Sequence, residues 1–154
     1  MTKITEMIWL GGSYDAEYAD LRADNIDAIL NVARGLHVER GWSNDVEYAK
    51  CGLVDGPGNT MTSYYAAVLK LAALVRNGLR TLVCCREGQS RSPAIVIMYL
   101  NVQKQYGWDY WRMILADLGS RVKEGKQFPH EAHRQAFDRI DWQLLVNMIE
   151  SNDV

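Results

Sequence analysis

The sequence has 154 residues, a formal net charge of −2, 48% hydrophobic residues and 23% charged ones, enough chain for one good core in an ordinary globular domain. Near-neutral charge argues against a nucleic-acid partner, which would call for a basic face, and three cysteines, two of them adjacent, do not make a disulfide framework. Residues 1–6 hold no apolar signal core, and the longest apolar helical segment, the 12 residues 64–75, contains Lys70 and is too short to cross a bilayer. The expectation is one domain over residues 1–154, a cytoplasmic monomer without membrane contact.

Residues 4–10 read as a strand stopped by Gly11 and Gly12. Ser13 can cap a short helix carrying Tyr14, Tyr18 and Leu21. The branched, apolar run 26–32 has the pattern of a buried strand. Residues 34–47 contain Gly35, Gly41, Ser43, Asn44 and mixed charges, the mark of a surface loop. Arg34, His37 and Trp42 there are candidates for a pocket rim, beside the plainer reading of a solvated loop. Residues 46–54 return to an extended pattern and deliver Asp55 into Gly56-Pro57-Gly58-Asn59, which is turn chemistry.

Thr62 or Ser63 can cap a helix over 64–77, closed by Gly78 and apolar around most of its circumference, hence packed on a sheet. It feeds a strand over 80–85, a helix crossover to the middle of that sheet. Pro93 opens a helix, with Ser92 placed to cap it. Residues 94–106 and 110–123 read as two helices hinged at Gly107, and 130–149 as one amphipathic helix with Phe137, Ile140, Leu144, Leu145 and Met148 on one face. His130 and His133 are three apart, but without carboxylate or cysteine company they read as surface residues rather than a metal pair.

The chemistry concentrates between strand and helix, in Cys85-Arg86-Glu87-Gly88-Gln89-Ser90-Arg91-Ser92. Successive main-chain N–H groups folded over a helix N-terminus make an anion-binding nest. Arg91 adds a planar fork able to grip two oxygens of a phosphate. A cysteine at the mouth of such a nest should lose its proton easily, because the field that binds a dianion also stabilises a thiolate. The loop is therefore built to hold a phosphoryl group over sulfur.

Cys85-x5-Arg91, with Gly88 inside and Ser90-Arg91-Ser92 closing the loop, resembles the signature of the protein tyrosine phosphatase superfamily, most closely its small dual-specificity branch. Trp9-Leu10-Gly11-Gly12 followed by a helix and Ile29-Leu30-Asn31-Val32-Ala33 is similar to the opening of that branch, and Phe128-Pro129-His130 to its connection into the last helix. The resemblance implies a three-layer α/β domain with a central, mostly parallel sheet of about four or five strands flanked by helices. It implies Cys85 as nucleophile, Arg91 and the loop residues Arg86, Glu87, Gly88, Gln89 and Ser90 as the phosphoryl cradle, and Ser92 as a hydroxyl for the departing thiolate. Asp55, 30 residues before Cys85, takes the place of the general acid and later the base; by local sequence alone it is a turn aspartate, with Asp45 and Glu47 as weaker rivals. Neither metal nor cofactor is implied, and the substrate would be a phosphorylated protein carrying phosphotyrosine or phosphoserine and phosphothreonine.

Two departures qualify this. Cys84 stands where the family usually has a histidine, which predicts a less acidic Cys85; the residue otherwise reads as small and buried on the far side of the strand. If Cys85 is oxidised, Cys51 is a better partner than Cys84, whose vicinal bridge would be strained, provided that the fold brings Cys51 close, which the sequence leaves open. Glu87 puts a carboxylate in the cradle and disfavours inositol phosphates and 5′-triphosphate RNA. A phosphopeptide-binding module without turnover, and a sulfurtransferase, are the alternatives.

Overall fold

A computed structural model describes residues 1–40 and 46–151. Its sheet holds β1 (Thr2–Lys3), β2 (Ile8–Gly11), β3 (Ala28–Ala33), β4 (Glu47–Leu53) and β5 (Thr81–Cys84), in the order β1-β2-β5-β3-β4. β2, β5, β3 and β4 run parallel, while β1 pairs antiparallel at the edge. Strands covered on both faces are apolar almost throughout, and alternation divides their side chains between two cores. Ile8, Leu10, Leu30, Val83 and Cys85 face the larger one, shared with α2 (Met61–Arg76), α3 (Arg91–Gln103), α4 (Trp108–Asp117), α5 (Glu131–Arg139) and α6 (Trp142–Ser151). Trp9, Ile29, Leu82 and Cys84 face a smaller one with Ala16 of α1 (Ser13–Tyr18), Leu21 and Ile26. This is the three-layer α/β arrangement that the sequence leads one to expect.

Several boundaries differ, each for a local reason. The strand expected over 4–10 is two short strands, because the N–H groups of Ile4 and Thr5 turn back onto the Ile8 carbonyl. α1 is capped by Gly12, whose N–H binds Asp15 Oδ2 at 3.0 Å, and not by Ser13, which bonds the Arg86 carbonyl. α2 begins earlier than expected, at the side chain of Thr60, which accepts from the Ser63 N–H. The helix expected over 110–123 stops at Asp117; Gly119 turns with φ +97°, and a 3₁₀ turn follows over Arg121–Glu124. The single helix expected over 130–149 is two. Asp141 breaks it, its Oδ1 accepting from the Leu144 N–H as the cap of a new helix while Tyr65 takes its own N–H.

Candidate active site

β5 lies between β2 and β3 and ends at Cys84, so the next residue emerges at the carboxyl end of the sheet's centre, where α/β folds place their sites. Cys85 is 2% exposed at the floor of a cavity of about 140 Å³ lined by Asp55, Arg86, Glu87, Gln89, Ser90, Arg91 and Phe128. Its Sγ lies 3.1 Å from Ser92 Oγ, which also reaches the Gly11 carbonyl at 3.4 Å. α3 begins at Arg91 with Ser90 at the cap position, so Ser92 is inside the helix and its hydroxyl serves sulfur rather than the helix end.

The loop is pressed onto the end of β2. Gly88 has φ +73°, and a Cβ there would come within 2.9 Å of the Gly11 carbonyl carbon, so only glycine fits. Ser13 fastens the other side, giving the Arg86 carbonyl both its N–H at 2.9 Å and its hydroxyl at 3.1 Å. Among the described residues, the main-chain N–H groups of residues 86–90 have no acceptor within the protein. Arg91 gives one Nη1 hydrogen to the Leu53 carbonyl at 3.1 Å, while its buried Nε makes no hydrogen bond among them. An unpaired, buried donor such as Arg91 Nε is costly, and Arg86, Glu87, Gln89, Ser90 and Arg91 line the cavity over the sulfur, where an anion would give these donors an acceptor.

Asp55 follows β4 on a loop closed by Asn59, whose amide group bonds both the N–H and the carbonyl of Val54 at 2.8 Å. Its Oδ1 accepts from Ser90 Oγ at 2.6 Å and lies 3.0 Å from His133 Nε2. Burial alone would raise this carboxyl, but the bonds from Ser90 and His133, with the nearby charge of Arg91, outweigh it and hold Asp55 below the usual carboxylate range. Its rivals fall away or cannot be placed: Glu47 lines a separate hollow with Lys70 and Asn77 at the opposite end of β4, and Asp45 lies outside the described residues.

The outer rim is zipped to the 3₁₀ turn. Gln89 donates to Glu124 at 2.7 Å, and Arg121 binds the Glu87 carboxylate at 3.2 Å and its carbonyl at 2.9 Å. The negative charge of Glu87 is thus shared with Arg121 rather than aimed at the cavity alone. Phe128 forms the remaining wall, on a segment that Arg112 of α4 gathers by bonding the carbonyls of Val122, Gly125 and Phe128. Arg34 and His37 do not line the cavity, His37 being largely exposed beside Glu39, and Trp42 lies outside the described residues.

The cysteines separate as well. Cys84 lies in the smaller core, and burial, followed by the charges of Cys85, Asp15 and Glu17, pushes its thiol up to about 12. Cys51 sits in β4 with β3 between it and β5, two strand spacings or roughly 10 Å from Cys85. That exceeds the reach of a disulfide without backbone movement.

Over residues 8–131 the chain matches the family model for the dual specificity phosphatase catalytic domain. The chain belongs to the dual specificity phosphatase family. Among relatives, the protein phosphatase Slingshot of Drosophila melanogaster is 27% identical over 131 residues, 82% of this chain and 12% of that protein. Slingshot homolog 2 of Homo sapiens is 30% identical over 110 residues, 70% of this chain and 7% of that protein. The chain therefore spans only a small part of the length of these relatives. Of solved structures, that of DUSP15 superposes with a TM-score of 0.77 at 23% identity, covering 100% of this chain and 97% of the other, and that of human DUSP28 with 0.75 at 15%, covering 99% and 100%. At such identities the likeness speaks for the dual specificity phosphatase fold.

His133 corrects the sequence reading. It is 0% exposed, not a surface residue, with Nδ1 2.8 Å from the Tyr64 hydroxyl and Nε2 on Asp55. His130 lies edge-on to it with ring centroids 6.0 Å apart, its Nδ1 accepting from the Ala132 N–H as the cap of α5 and its own main-chain N–H donating to Ser90 Oγ at 2.8 Å. A signal for His133 did exist: it shares the period of Ala136, Phe137 and Ile140, all buried.

Proposed function

We propose that this domain hydrolyses phosphomonoesters on proteins, phosphotyrosine before phosphoserine and phosphothreonine, through a phosphocysteine on Cys85. The observation that carries the reading is the cavity over Cys85, lined by Arg86, Glu87, Gln89, Ser90 and Arg91, on a loop whose N–H groups at 86–90 and Arg91 Nε have no acceptor among the described residues. Sγ forms a bond to phosphorus as the P–O bond to the leaving group breaks. These donors neutralise the three equatorial oxygens, whose charge changes most. Asp55 gives its proton to the leaving oxygen. It then takes one from the water that breaks the S–P bond and frees inorganic phosphate. Ser92, 3.1 Å from Sγ, stabilises the sulfur as it departs.

Phe128 supports the preference for tyrosine, since an aromatic wall gains more contact from a phenyl ring than from a serine methylene. A working free thiol fits a reducing compartment such as the cytoplasm. Hydrolysis of p-nitrophenyl phosphate tests the activity: the wild type releases p-nitrophenol and Cys85→Ser does not. Peptides differing only in the phosphorylated residue rank the substrates. Phosphopeptide capture by the wild type without p-nitrophenol release would make this a binding module instead.

A further inference from the structure

We propose that Tyr64 and His133 are positioning residues that divide the work of the Asp55 carboxyl between its two oxygens, Oδ1 held as a fixed acceptor and Oδ2 left to carry the transferred proton. The inference rests on the phosphatase reading above and deepens it.

The direction of each bond follows from donors further back. Tyr64 is 2% exposed and His133 0%. Burial, and then the charge of Asp55, keeps the phenol protonated although Asn59 opposes this by donating to its oxygen at 3.3 Å. The phenolic hydrogen is therefore directed to His133 Nδ1, 2.8 Å away. Burial lowers the tendency of His133 to take a proton, and the repulsion of His130 and Arg91 adds to this against the pull of Asp55. A neutral imidazole has one donor and one acceptor. With Nδ1 accepting, the proton is on Nε2 and points at Asp55 Oδ1, 3.0 Å away. Ser90 follows the same logic: its oxygen accepts from the His130 N–H at 2.8 Å, so its hydrogen goes to Oδ1 at 2.6 Å.

Oδ1 thus receives two donors, each fixed by a further donor. A carboxyl oxygen has two lone pairs, so protonating Oδ1 would evict either Ser90 or His133. Oδ2 takes part in none of these bonds. The proton given to the leaving oxygen, and later drawn from water, travels through Oδ2. The charged and titratable groups around Asp55 are Cys85, Arg86, Glu87 and Arg91 of the loop and α3, Tyr64 of α2, and His130 and His133 at α5. Of these, His133 alone is hydrogen-bonded to the carboxyl, beside the hydroxyl of Ser90.

The test is a pH profile. Asp55 must be protonated to act as acid, so turnover falls as pH rises through its pKa. His133→Phe fills the space and removes a donor to the carboxylate, so the falling limb moves to higher pH, by ~0.5–1 unit. The same variant slows an alkyl phosphate, which needs a well-aimed proton, about tenfold relative to p-nitrophenyl phosphate, which scarcely needs one. Tyr64→Phe frees the histidine tautomer and moves the limb in the same direction by less. His133→Gln, whose amide nitrogen can replace Nε2–H, returns the limb toward the wild-type position. Direct titration of the Asp55 carboxyl by NMR in Cys85→Ser with and without His133→Phe reads the same shift without turnover; if His133→Phe does not fold, Tyr64→Phe and His133→Gln carry both measurements. An active wild type whose falling limb and Asp55 titration stay in place in every folded variant overturns the proposal, as does equal loss in the Phe and Gln variants. An inactive wild type overturns the phosphatase reading and this inference with it.

Discussion

Cys84 and Cys85 are adjacent, and the alternation of β5 sends them to opposite faces of the sheet. Their exposures, 0% and 2%, scarcely differ. Cys84 lies among Trp9, Leu21, Ile29 and Leu82, with Asp15 and Glu17 near enough to oppose a second negative charge, so it stays a thiol. Cys85 lies beside Ser92 on the floor of a cavity lined by a loop whose donors have no acceptor among the described residues. Depth alone therefore leaves a sulfur inert. What separates the two is whether the surrounding polar groups are already satisfied, or against it, or free to receive charge. The histidine that the family usually carries at position 84 has no route to the cavity here except through the strand itself, because the side chain at this position faces the smaller core.

The sharpest way to break the contrast is to exchange one atom on each side of it. Cys85→Ser should lower hydrolysis of p-nitrophenyl phosphate by on the order of 10⁴-fold or more with an unchanged melting temperature. Residual turnover near the wild-type rate would show that the sulfur does not attack phosphorus. Asp55→Asn comes next, with a loss of about 10²–10⁴-fold on an alkyl phosphate and a smaller one on p-nitrophenyl phosphate, whose leaving group scarcely needs the proton. Burial raises this carboxyl, yet the donors from Ser90 and His133 lower it further than burial raises it. The proton-donating form is therefore the low-pH form, and the wild-type profile should fall as pH increases from the acid side. In Asp55→Asn that falling limb should vanish from kcat/KM, and its survival would return the proton to another group.

Phe128→Ala tests the outer wall: the ratio of kcat/KM for phosphotyrosine over phosphoserine peptides should fall several-fold, since a ring buries more apolar area than a methylene. An unchanged ratio would move selectivity elsewhere. The smallest effect belongs to the other thiol. Cys84→Ala should leave turnover within about twofold and cost about 1 kcal/mol of stability, the usual result of removing one buried heavy atom. Chemical denaturation measures the second quantity, and a large loss of turnover would mean that Cys84 acts on the loop after all.

The parts of the molecule that could be read beforehand are those set by neighbours in sequence. β5, the loop and α3 follow from a branched run, Gly88 and Pro93, so the expected strand-loop-helix and the expected three layers are where the chain puts them. What escaped depends on distance along the chain. The bonds from residue 133 to residues 55 and 64 join three elements that no periodicity links. Two serines flank Arg91, both competent to cap a helix, and only the sulfur packed beneath decides that Ser92 turns inward. Asp141 is a good helix former's neighbour and a better cap, and Tyr65 from α2 settles which it becomes. The separation of Cys51 from Cys85 needed the strand order, with β3 interposed.

Arg112 makes three bonds to the carbonyls of residues 122, 125 and 128, and through main chain alone. Such a spoke is indifferent to which side chains the segment displays. Phe128 can thus be treated as an exchangeable panel on a fixed frame: swapping it for a cation, an amide or a smaller hydrocarbon would retune which esters enter, while Cys85 and Asp55 keep their stations. Altering Arg112 itself would instead slacken every panel at once.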